Sequence, residues 1–152
     1  MSIKAKYVGE FRSEIIFENQ LKIKTNSNRN LHDSCEQTKP SNLLSASLAS
    51  CISTTLGIIL EKNNIESKSF YVDIISKSDV QNNKISTLHC KICLPLIKKL
   101  KIKNFIKEKI ESSFISNSLK ESINISYEYI FNRYLIFLQQ SFLYKYLIIQ
   151  RL

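Results

Sequence analysis

The chain has 152 residues, enough for one domain of ordinary size and little more. Apolar residues make up 43 % of it, which excludes wholesale disorder, and Gly and Pro occur only twice each, which excludes linker-like and collagen-like chains. The net charge of +9 invites a nucleic-acid reading, but the lysines are spread along the chain without a zinc-finger, bZIP or RNP-like motif, so a solvated basic face and no nucleic-acid partner are expected.

Residues 1–12 alternate like a short strand that ends at Gly9-Glu10. They lack the continuous apolar run of a secretory signal, so a cytoplasmic protein with reduced thiols is expected. Residues 13–25 alternate around Ile15, Phe17, Leu21 and Ile23, with Glu18-Asn19-Gln20 as the turn between two strands. Residues 26–39 are polar and read as a loop, long enough to be of functional interest. Pro40-Ser41-Asn42 opens a helix that runs to about residue 62 and is closed by Asn63-Asn64. Its apolar residues fall on nearly every side and its polar ones are small, which predicts a helix buried all round.

Residues 70–80 and 85–96 alternate as two strands about the turn Gln81-Asn82-Asn83, with Leu88, Cys90 and Ile92 on one face. Residues 102–118 place Ile102, Phe105, Ile106, Ile110 and Phe114 at helical spacing and predict one amphipathic helix. Residues 123–129 alternate as a closing strand. The order predicts an α+β domain over 1–131, with two long helices on a mainly antiparallel sheet. Residues 132–152 form an apolar extension, broken by Gln139-Gln140, Lys145 and Arg151. That is too interrupted for a membrane span.

Chemistry centres on the cysteines. Cys51 lies in the middle of the long helix, one turn from Ser47 on one side and from Thr54 and Thr55 on the other. The bland reading of such a residue is a small core hydrophobe. His89-Cys90-x-x-Cys93 has half the spacing of a zinc site, but i and i+3 on a strand point to opposite faces, and no second pair of ligands follows. His32-x-x-Cys35, in the loop, is too loosely placed to complete it. No Gly-rich phosphate loop and no G-x-S-x-G elbow is present. Neither a metal nor a cofactor is expected.

The string around Cys51 carries more. Pro40-Ser41-Asn42-Leu43-Leu44, followed after six residues by Cys51, resembles the P-x-[DE]-L-L…SC helix of the OsmC/Ohr family of thiol peroxidases. Leu48-Ala49-Ser50-Cys51 with Thr54 to Ile58 is similar to that family's "LGSC…T-x-x-GI" segment. Tyr7-Val8-Gly9-Glu10-Phe11-Arg12-Ser13-Glu14 resembles its opening strands, and Ile125 to Phe131 its closing strand. Ile110 to Leu119 lies where the family has "A-x-x-CPV-x-x-SL".

The resemblance implies an intertwined homodimer with its central helices packed together. It implies reduction of organic hydroperoxides by a peroxidatic thiolate that an arginine and an acidic residue activate. A second cysteine then resolves the sulfenic acid, and an external thiol or dithiol resets the enzyme. By position the peroxidatic residue is Cys51 and the activating arginine Arg12, with Arg29 in the loop as the other candidate. The acidic position falls at Ser41 or Asn42 and the resolving position at Ser113, so neither carries the family's group. Three outcomes stay open: a one-cysteine peroxidase served by an external thiol, resolution by Cys35, Cys90 or Cys93, or a scaffold without the activity, retained as a binder of small apolar ligands or as a relic.

Overall fold

The computed structural model describes residues 2–27, 38–67 and 70–132. Arg29, His32 and Cys35 of the loop, and the extension from residue 133 onward, lie outside the described residues. The chain divides into two compact units, Met1–Ala46 and Ser47–Leu152.

The first unit is a three-stranded antiparallel meander of β1 (Ile3–Gly9), β2 (Arg12–Phe17) and β3 (Lys22–Asn26). β1 and β2 are joined by Glu10-Phe11, both at positive φ (51° and 61°), as the twist of a two-residue hairpin requires. Gly9 enters that turn at φ 90°, where a Cβ would be strained. Glu18-Asn19-Gln20 makes the next turn, closed by a 2.9 Å bond from the Gln20 N–H to the Phe17 carbonyl, as the sequence predicts. The Asn26 N–H donates to the Thr38 carbonyl (3.0 Å), so the polar loop returns to β3 at its far end. Thr25 is the one buried residue of these strands, while Ile3, Tyr7, Val8, Phe11 and Leu21 are exposed.

Helix α1 (Pro40–Lys62) starts on a proline, whose missing N–H costs nothing at the first helical position. It ends on a left-handed cap. Asn64 has φ 53°, the Ile65 N–H reaches the Leu60 carbonyl (2.9 Å) and the Asn64 N–H reaches that of Glu61 (3.0 Å). The expectation of burial all round is corrected. Only the stripe Leu48, Ile52, Leu56, Ile59 and Leu60 is buried, while Ala46, Ser47, Ser50, Thr54 and Ile58 are exposed in the single chain. Small side chains on those other faces leave little apolar area that must be hidden, so one stripe suffices. Among the described helices α1 alone is long and apolar enough to cross a bilayer, by length and composition only.

The second unit holds β4 (Tyr71–Asp79), β5 (Lys84–Pro95), α2 (Leu100–Glu111), α3 (Phe114–Leu119) and β6 (Asn124–Asn132), with β5 central. β4 and β5 form the expected antiparallel hairpin, but β6 runs parallel to β5, so this sheet is mixed. The physical reason is the crossover. A parallel neighbour needs a connection of a dozen or more residues, and the two helices between β5 and β6 supply it. The single helix expected over 102–118 is also corrected. Ser113 is extended (φ −64°, ψ 157°), so α2 stops and the six-residue α3 starts afresh.

Leu88, Cys90, Ile92 and Leu94 of β5, Ile106 and Ile110 of α2 and the buried stripe of α1 make the core of this unit. Each such side chain contributes on the order of 1.5–3 kcal/mol by leaving water. α2 runs antiparallel along β6. Lys103 Nζ sits 4.6 Å from the ring centre of Phe131, Lys107 Nζ 5.4 Å from that of Tyr129, and the Tyr129 hydroxyl donates to Glu111 Oε1 at 3.2 Å.

Candidate functional site

Three cysteines fall among the described residues, all free, and they differ in environment. Cys90 is on the inner face of β5 with Leu88 and Ile92, fully buried, and burial pushes its thiol up to about 11. A thiol held there is protonated and unreactive at neutral pH. Cys93 is buried on the opposite face, paired in register with Tyr71. A side-chain hydrogen bond to Cys93, with burial added, raises the Tyr71 phenol above its ordinary value. The two sulfurs therefore diverge across the sheet, and no group of three or more His, Cys, Asp or Glu among the described residues is placed to hold a metal ion.

Cys51 is the one described cysteine that is not buried. It follows from the helical repeat: Leu48 and Ile52 turn inward, and Cys51 sits at the margin of that stripe. Thr55, one turn later, spends its hydroxyl on the Cys51 carbonyl (2.9 Å), so it is not a donor toward the sulfur.

Arg12 opens β2 in the first unit. Its Nη2 is ion-paired with Glu10 across the hairpin turn, and its Nε is buried with no hydrogen-bond partner among the described residues. A buried donor left unsatisfied costs roughly 1–3 kcal/mol, and an acceptor delivered to it recovers that cost. At the helix start Ser41 and Asn42 bring no charge, and the first turn of α1 holds no acidic residue.

Ser113, at the position where the resemblance implies a resolving cysteine, is buried at the α2–α3 break. Its hydroxyl lies 2.8 Å from that of Ser116, which in turn donates to the Ile110 carbonyl at 3.1 Å. The site of a second thiol is thus occupied by a hydroxyl already spent within the fold.

One cluster escaped the sequence reading. His89 Nδ1 is 2.9 Å from Ser126 Oγ, and its Nε2 is 3.3 Å from Glu128 Oε2, across the parallel β5–β6 pair. Only the register His89↔Ser126, set by the crossover, brings these residues together. No spacing motif carries that information.

Comparison with known proteins adds the following. The OsmC-like protein family matches residues 32–128. A Psychrobacter arcticus protein assigned to the osmotic stress induced and detoxification response is 20 % identical, with a TM-score of 0.72 over 87 % of this chain and 96 % of its own. An OsmC like protein from Mycoplasma pneumoniae is 14 % identical, with a TM-score of 0.68 over 85 % and 96 %. An organic hydroperoxide resistance protein from Elizabethkingia anophelis is 17 % identical, with a TM-score of 0.64 over 87 % and 97 %. No curated protein matches. At these identities the solved structures share the fold, and the family match covers well over half of the chain. The chain belongs to the OsmC-like family.

Proposed function

We propose that the protein is a thiol-dependent peroxidase for organic hydroperoxides, with Cys51 as nucleophile. The observation that carries this reading is the contrast among the described thiols: Cys90 and Cys93 are buried, whereas Cys51 is only half-buried and occupies the helix position the resemblance marks as peroxidatic. An organic hydroperoxide resistance protein with the same fold supports the substrate class. Arg12 is the guanidinium that the resemblance assigns to the activation step, where it would stabilise charge on the leaving oxygen.

In the reaction the Cys51 thiolate attacks one peroxide oxygen. The S–O bond forms, the O–O bond breaks, and the alkoxide leaves and takes a proton as the alcohol. Cys51 is left as the sulfenic acid. With Ser113 at the resolving position, an external thiol condenses with that sulfenic acid to a mixed disulfide and water, and a second thiol releases Cys51. A homodimer belongs to this proposal. The three strands of the first unit bury only Thr25, and Ile3, Tyr7 and Val8 of β1, with Phe11 and Leu21 in the connections, are exposed large apolar side chains that a second copy would cover.

The test is consumption of cumene hydroperoxide with dithiothreitol as reductant. The parent should turn over and Cys51→Ser should not; equal rates would sink the proposal. A second reading, the same scaffold without catalysis, is favoured by the ion pair of Arg12 with Glu10 and by the uncharged Ser41 and Asn42. It predicts that parent and Cys51→Ser consume the peroxide at the same background rate.

A further inference from the structure

A groove in the second unit lies between the C-terminal half of α1 and the length of α2. Its first chamber, about 400 Å³, is lined by Thr55, Ile58, Ile59, Lys62, Phe105 and Lys109, among others. The adjoining chamber, about 610 Å³, shares Phe105 and Asn63 with the first and adds Lys99 and Lys101. Both volumes fall in the range of small-molecule sites.

The lining has two chemical halves. Ile58 and Phe105 are 49 % and 43 % exposed, large apolar side chains left open to the groove. Lysines line it too: among the described residues there are four across the two chambers, against one carboxylate, that of Glu108. Lys62 makes no ion pair among the described residues. Lys109 is 3.2 Å from Glu108 in a surface pair of small worth, and its Nζ lies 5.4 Å from the ring centre of Phe105, so its charge sits directly over the apolar floor. Among the described residues no arginine fork and no glycine cradle lines either chamber, which argues against a phosphate as the recognised group.

We propose that this groove binds a long-chain carboxylate as a single dissolved molecule. The alkyl chain lies on Ile58, Ile59 and Phe105, and the carboxylate is held between Lys62 and Lys109. The proposal rests on the groove alone and not on chemistry at Cys51, so it is tested in the full chain carrying Cys51→Ser. By isothermal calorimetry, dodecanoate below its micelle concentration should bind at least about tenfold more tightly than dodecanol at low salt. High salt should narrow that gap. Each added methylene should tighten binding by about fourfold until the groove is full.

The double variant Lys62→Gln/Lys109→Gln alters surface groups and should fold. It should bring dodecanoate down to the level of the alcohol. Phe105→Ala should weaken both ligands. The proposal is overturned if acid and alcohol bind equally, if the lysine variant binds dodecanoate as the parent does, or if nothing binds because another copy of the chain fills the groove. It is equally overturned if phosphatidylglycerol vesicles are bound but dissolved dodecanoate is not.

Discussion

Alkaline pH should destabilise the native state through one buried thiol. Cys90 is fully buried on the inner face of β5 with Leu88 and Ile92, beside Tyr127 of β6, and burial raises its thiol from 9.0 to about 11. Between those values the unfolded chain has lost the proton and the native state has kept it. The native state then binds more protons than the unfolded one, so stability is intact below about pH 9 and falls as pH rises toward 11. A rise of this size corresponds to roughly 2–3 kcal/mol. The phenols of Tyr71, Tyr127 and Tyr129 are also held above their ordinary values, so they push the same way and must be separated. Cys90→Ala does so, since the tyrosines are common to both proteins. Urea unfolding followed by circular dichroism at steps through this range should show a steeper alkaline loss for the parent than for Cys90→Ala. The difference should approach roughly 2 kcal/mol at the top of the range. Parallel curves would show that the thiol is hydrated in the native state and that the inner face of β5 is not the dry layer described above.

Other outcomes follow from the same packing. Leu56→Ala, at a fully buried position of α1, should cost about 2–5 kcal/mol in chemical denaturation, whereas Thr54→Ala on an exposed face should stay within about 0.5 kcal/mol. Phe11→Gly should stabilise the first hairpin by about 1 kcal/mol, because Phe11 holds φ 61° with a Cβ that Gly lacks; no gain in thermal midpoint would remove the claim of a strained turn. Asp79 accepts from both the side chain and the backbone of Asn82, which lowers its carboxyl below the ordinary range. Its titration by NMR should move upward in Asn82→Ala.

Much of this fold was legible because its periods are local. The turn at Glu18-Asn19-Gln20, the hairpin about Gln81-Asn82-Asn83 and the cap at Asn63-Asn64 are each written in adjacent residues, and each stands where the pattern placed it. Two features were not legible. The pattern over 102–118 has the same helical spacing on both sides of Ser113, so the break shows only in the backbone of that residue. The direction of β6 depends on the path of the whole crossover, which alternation cannot encode; the joining of His89 to Ser126 and Glu128 was hidden for the same reason. For α1, sequence reported composition and not orientation. A helix of small and apolar residues reads alike whether one face or every face is covered, and here one stripe is. The place of Cys51 within α1 was readable from its flanking string. The spent hydroxyl of Thr55 and the ion pair of Arg12 with Glu10 were not, because both depend on side-chain choices among several acceptors.

The central claim, that Cys51 is the one of the three described cysteines that meets the peroxide, is tested most directly by trapping the oxidised sulfur. The reduced protein is mixed with one equivalent of cumene hydroperoxide in the presence of dimedone, digested and mapped by mass spectrometry. The account predicts the adduct on Cys51, with Cys90 and Cys93 unmodified. An adduct on either sheet cysteine, or native protein that stays unlabelled while the peroxide persists, would contradict it.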